Sequence, residues 1–110
     1  MTAAFRGTSR EGNDMTLEQQ EALRIAVLNF LAPRHVAAFN AEQIADRLKA
    51  ERKLDFAVTA AQVNDACGVL VKLGLAEQVV EMAFGVVPHY QASGNGIIQS
   101  EKWRLARGMA

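Results

Sequence analysis

A capping signature occurs three times in the first 62 residues of this chain: Thr16-x-x-Gln19, Asn40-x-x-Gln43 and Thr59-x-x-Gln62. In each, a short oxygen-bearing side chain accepts from the N–H groups that a starting helix leaves without partners. The Gln three residues on reaches back to the cap backbone. Three helix starts are thereby specified. The first predicted helix runs over residues 17–31, and Pro33 ends it, because proline lacks the N–H and disfavours a helical residue before it. The second spans 41 to about 52, with a buried stripe of Ile44, Ala45 and Leu48 and with Phe39 placed to staple onto Ile44. The third spans 60 to about 73. Val63, Ala66, Cys67 and Leu70 lie at inward spacing, Val58 staples onto Val63, and Gly74 is placed to close the helix in the left-handed conformation.

After Gly74 the pattern changes. Residues 75–92 are rich in β-branched side chains and are broken at Gly85 and Pro88, which reads as a strand hairpin. Residues 34–39 are read as a plain connection, and 53–58, where alternate residues are apolar, as either a short strand or an anchored turn. Residues 97–110 carry Ile98, Trp103 and Leu105 beside Lys102, Arg104 and Arg107, the makings of a short fourth helix with an apolar side. The first 14 residues offer only Phe5 as a bulky apolar group, so a disordered leader is expected over 1–15, with Met15 as an alternative start and 16–110 as one domain. Half of the 110 residues are apolar, enough for one modest core without disulfides or metal. The expected class is α+β, mainly α: a three-helix bundle followed by a β-hairpin.

Several function classes are excluded by composition. Twelve Lys plus Arg balance twelve Asp plus Glu, so the chain lacks the basic excess usual in nucleic-acid binders. Cys67 is the single cysteine, which precludes an internal disulfide and fits a reducing, cytoplasmic setting. No apolar run approaches the roughly 20 residues of a spanning helix, so no membrane association is expected. Cys67 reads as a small apolar filler. His35 and His89 lie far apart without Cys or carboxylate at metal-ligand spacing. Gly94-Asn95-Gly96 is a turn and helix-start signal without the Lys-Ser/Thr of a phosphate loop. The chain is therefore expected to be no enzyme and to hold no metal or cofactor.

Over about residues 16–96 the sequence resembles the winged helix-turn-helix superfamily. Val63-x-x-Ala66-x-x-x-Leu70-x-x-Leu73-Gly74-Leu75 is similar to a recognition helix running through Gly into a first wing strand. The wing itself occupies 79–91, and Tyr90-x-x-Ser93-x-x-Gly96 resembles the Tyr-x-x-Thr-x-x-Gly that closes the wing in many small prokaryotic regulators. The resemblance implies a reader of duplex DNA, with the third helix in the major groove and the wing at the phosphates. Ala60, Ala61, Gln62, Asn64, Asp65 and Gly68 would then face bases, with Gln62 and Asn64 suited to adenine edges. Arg47, Lys49, Arg52 and Lys72 would meet the DNA backbone, aided by Arg34, Lys53, Lys102, Arg104 and Arg107.

The charge pattern opposes that picture. Between Thr59 and Ser100 the only cation is Lys72, against Asp65, Glu77 and Glu81, a poor basis for neutralising phosphate. At the wing tip, Met82, Ala83, Phe84, Gly85, Val86, Val87 and Pro88 stand where Arg or Lys would be expected. These residues either fold onto the core or form an exposed contact surface for a protein partner. The first helix is apolar on nearly every side, interrupted in its second half only by Arg24 and Asn29, and so requires cover from the tail or from a second subunit. Phe30, Phe84, Val86, Trp103 and Leu105 are the candidate interaction or dimer surface. Two functions follow: a homodimeric DNA-binding transcriptional regulator, or a winged-helix protein-interaction module that does not bind DNA.

Overall fold

The computed structural model describes residues 15–80 and 85–106. The predicted leader, except for Met15, which is half-buried against the core, and residues 81–84 of the wing, Phe84 among them, lie outside these residues. Helix α1 spans Leu17–Leu31, α2 Ala41–Ala50, α3 Ala60–Lys72 and α4 Gly94–Ala106. The strands are β1 Phe39–Asn40, β2 Ala76–Val79 and β3 His89–Ala92. Among the described residues no helix is long and apolar enough to cross a membrane.

All three helices of the bundle start on complete capping boxes. The cap side chain accepts from the Gln backbone N–H at 3.0 Å for Thr16, 2.8 Å for Asn40 and 3.1 Å for Thr59. Each Gln side-chain oxygen in turn accepts from the cap N–H at 2.8–3.1 Å. The C-termini of α2 and α3 are closed by one device used twice. After α3, Gly74 adopts φ +79° and the N–H groups of Gly74 and Leu75 donate to the carbonyls of Val71 and Leu70. After α2, Arg52 takes the same left-handed conformation (φ +53°), while Arg52 and Lys53 donate to Lys49 and Leu48. These are paired Schellman closures, the second built on a residue that bears a Cβ.

The core is one cluster. Leu23, Val27, Leu28 and Leu31 of α1 meet Ile44 and Leu48 of α2 and Val63, Cys67 and Leu70 of α3, all buried. Ala76, Tyr90 and Ala92 extend it under the sheet. The sheet order is β1-β3-β2, antiparallel throughout, with Phe39 opposite Tyr90 on one edge and Gln78 opposite Tyr90 on the other.

The structure refines several expectations drawn from the sequence. The connection before α2 ends in a strand, because the cap residue Asn40 is held extended (φ −86°, ψ 169°) and thus already suits pairing with β3. Residues 53–58 form the anchored turn rather than a strand, with Leu54 and Val58 packed on the core. The hairpin starts at Ala76, and the fourth helix starts at Gly94, earlier than the 97 expected from its apolar positions. Its cap is Ser93, whose hydroxyl accepts from the Gly96 N–H at 3.0 Å and donates to the Gly74 carbonyl at 2.7 Å.

Candidate nucleic-acid interface

Helix α3 presents one full exposed face. Ala61, Asn64, Asp65, Val69 and Lys72 are exposed and Gly68 is half-exposed. This spacing of i, i+3, i+4, i+7, i+8 and i+11 defines a single helical stripe. Val63, Ala66, Cys67 and Leu70 occupy the opposite, buried stripe, so the rotation of α3 about its axis is set by the core. The outer face is shallow: small residues stand at 61 and 68, and a Cβ built on Gly68 meets nothing within 4 Å. A helix with such a face can lie close to a groove floor.

Two of the polar groups expected to face bases carry internal bonds. The Gln62 side-chain oxygen is the acceptor of the α3 capping box. The Asn64 Oδ1 accepts from the Tyr90 hydroxyl at 2.7 Å. Tyr90 is 4% exposed, and burial first, then the neighbouring Cys67 and Asp65, pushes its phenol above the ordinary value, which keeps the hydroxyl a donor. Asp65 and Gln62 line a small cleft of about 80 Å³ with Gln20 and Arg24 of α1 and with Met15 just before it. Arg24 is therefore a cation beside the start of α3 that the sequence reading treated only as a break in an apolar run; its appearance on that run was the available signal.

The expected backbone-contacting cations fall into two groups. Lys49 and Arg52, both exposed, line an open groove of about 440 Å³ over Leu48, Leu54, Phe56 and Val58. Lys72 is exposed in the last turn of α3. Arg47, in contrast, donates to Glu51 at 2.8 Å and lies over the Phe30 ring at 5.6 Å. Arg34 stacks on the same ring at 4.2 Å, donates to the Phe30 carbonyl at 2.8 Å and reaches Glu51 at 3.8 Å. The Arg47 hydrogen bond, with further help from the charges of Arg47, Arg34 and Lys53, holds the Glu51 carboxyl below its ordinary range against the opposing effect of burial. Arg47 is thus occupied within the chain, while Lys49, Arg52 and Lys72 have no such partners among the described residues.

Phe30 is almost wholly covered, although it lines the groove along α1. It is 4% exposed, edge-on to Phe39 at 5.0 Å and covered by the two guanidinium groups. Trp103 is half-buried against the core, whereas Leu105 is exposed. Helix α4 folds back on α1 of the same chain, where the buried Ser100 hydroxyl donates to Asn29 Oδ1 at 2.6 Å. A groove of about 430 Å³ remains along α1, with Ile25, Ala26 and Leu54 on its apolar side and Arg34, Lys53 and Arg104 among its charges. On the wing, Val80, Val86 and Val87 are exposed, Val86 at 98%. Lys102 and Arg104 are exposed on α4; Arg107 lies outside the described residues.

The groups suited to chemistry stay apart. Cys67 is fully buried and its thiol is pushed up to about 12 by desolvation, which suppresses thiolate at neutral pH. Among the described residues no three His, Cys, Asp or Glu side chains are grouped so as to hold a metal ion.

This arrangement is the winged-helix fold. Among solved structures the chain is similar to a PadR-like transcription factor from Bacteroides fragilis, with a TM-score of 0.67 over 84% of this chain and 85% of that one, at 18% sequence identity. No family profile matches the chain, and no curated protein sequence matches it.

Proposed function

We propose that this chain is a small prokaryotic winged-helix regulator of transcription that binds duplex DNA as a homodimer in the cytoplasm. The observation that carries the proposal is the free face of α3, shallow and polar in its first half and bordered by the sheet that forms the wing base. In this reading Ala61, Asn64 and Asp65 face base edges, with Gln62 contributing only what its capping bond leaves over. Lys49, Arg52 and Lys72 meet phosphates. Similarity in fold to a protein described as a transcription factor supports the same use.

The homodimer rests on the apolar groove along α1 and on Ile98 and Leu105, both more than half exposed on α4. A second copy would cover both. The exposed valines of the wing favour a second reading, in which this surface docks a protein and DNA is not bound.

Titration of mixed-sequence duplex across a salt series separates the two. The regulator should form a complex at low salt that weakens steeply as salt rises, because phosphate neutralisation releases counterions. Absence of any complex at low salt would refute DNA binding. Replacing Lys49, Arg52 or Lys72 by Ala should weaken binding to all sequences alike and lower the salt slope by about one per residue. Arg47→Ala should change the slope less, since its charge is already paired.

A further inference from the structure

We infer that Tyr90 is a positioning residue for sequence reading: through its hydroxyl it holds the Asn64 amide in the orientation that recognises adenine. The inference rests on the DNA-binding reading above and adds to it a residue that itself never reaches the surface.

Tyr90 is fixed on every side. Its strand is central in the sheet, pairing with Phe39 across one edge and with Gln78 across the other, and its ring is part of the core. From this rigid base the hydroxyl meets Asn64 Oδ1 at 2.7 Å across 26 residues of sequence. Asn64 stands on the exposed face of α3 with Ala61, Asp65 and Gly68.

A planar amide with its oxygen turned toward Tyr90 has its NH2 group turned away from it. An amide oxygen also has two lone pairs, and one hydroxyl takes only one of them. What remains is two N–H donors and one acceptor lone pair, which include the donor and the acceptor that match N7 and the N6 amino group of adenine in the major groove. Without the hydroxyl, an exposed Asn samples several rotamers and either amide orientation. Ordering such a side chain on binding weakens the contact by about two- to tenfold. The hydrogen bond does this ordering in advance, on an element held by the core rather than by a loop.

The competing explanation is that a buried phenol simply needs an acceptor. It predicts that losing the hydroxyl changes stability but leaves sequence preference untouched. A pool of duplexes with a randomised segment, bound to the full chain and sequenced, measures that preference directly. Wild type should enrich adenine at one or more positions, and Asn64→Ala should flatten one of them. Tyr90→Phe should reduce the preference for adenine at that same position by about two- to tenfold, leave the other positions as in wild type, and have no added effect in the Asn64→Ala background.

Wild type that binds no duplex would overturn the DNA reading and this inference together. Binding with a preference that Tyr90→Phe leaves intact would overturn this inference alone. A measurement on unaltered protein covers the case in which the variant does not fold. The Asn64 side-chain N–H vectors should show NMR order parameters near those of rigid backbone, about 0.85, whereas values below about 0.6 would overturn the inference.

Discussion

Gly96 is required by space rather than by backbone conformation. A Cβ at this position would collide with the Leu75 carbonyl, which also accepts from the Ser93 N–H. The third member of the Tyr90-x-x-Ser93-x-x-Gly96 motif thus permits α4 to cross the exit of α3 at backbone contact distance. Gly96→Ala should cost about 3 kcal/mol, since backbone on both sides must move, and urea denaturation would measure it. Arg52 presents the opposite case. It occupies a left-handed position that strains a residue with a Cβ by about 1–2 kcal/mol. Arg52→Gly should therefore raise stability by up to about 1 kcal/mol, reduced by the entropy of glycine. If Arg52 contacts phosphate, the same change should weaken binding to all duplexes, so melting temperature and affinity move in opposite directions. A third residue-scale expectation concerns Cys67: its thiol should resist alkylation at pH 8 in the native protein and react fully in denaturant.

At the scale of elements, the features legible in the sequence were those whose causes are local. A capping box is complete within four residues, so all three helix starts were readable, as was the Gly74 stop. Strand β1 was not, because two extended residues become a strand only when β3, some 50 positions later, lies beside them. The fate of Phe30 was hidden for a similar reason: its cover comes from Arg34 beyond α1 and Arg47 on α2. The two polar breaks in the apolar run of α1 were visible, but their roles were not. Asn29 is met by Ser100 and Arg24 shares a cleft with Asp65, both from distant segments. Of the candidate site, the exposed row on α3 followed from helical spacing and the Gln62 bond from its capping box, whereas the bond between Asn64 and Tyr90 is tertiary. One test belongs at this level. Thr59→Ala removes the hydroxyl that accepts from the Gln62 N–H and keeps the N–H of residue 59 that the Gln62 side chain accepts from, so it should destabilise the chain by about 1 kcal/mol, read as a fall in melting temperature, with sequence preference unchanged.

For the molecule as a whole, the balance of charge matters less than its disposition. Glu51 neutralises part of the cationic cluster of Arg34 and Arg47, while Lys49 on α2, Arg52 just after it and Lys72 on α3 are exposed cations outside that cluster. Assembly adds a second constraint. The proposed homodimer should sediment at twice the 12.0 kDa chain mass at micromolar concentration, and Leu105→Glu or Ile98→Glu should return it to the mass of one chain while leaving the fold intact, since neither side chain is buried. A final consequence follows from the strand order. At His89 and Tyr90 the middle ribbon has neighbours on both edges, so the amide protons there are shielded from solvent by a strand on either side. In heavy water they should be among the last to be replaced by deuterium. Exchange at these positions as slow as in the bundle would make the base of the wing one unit with the three helices.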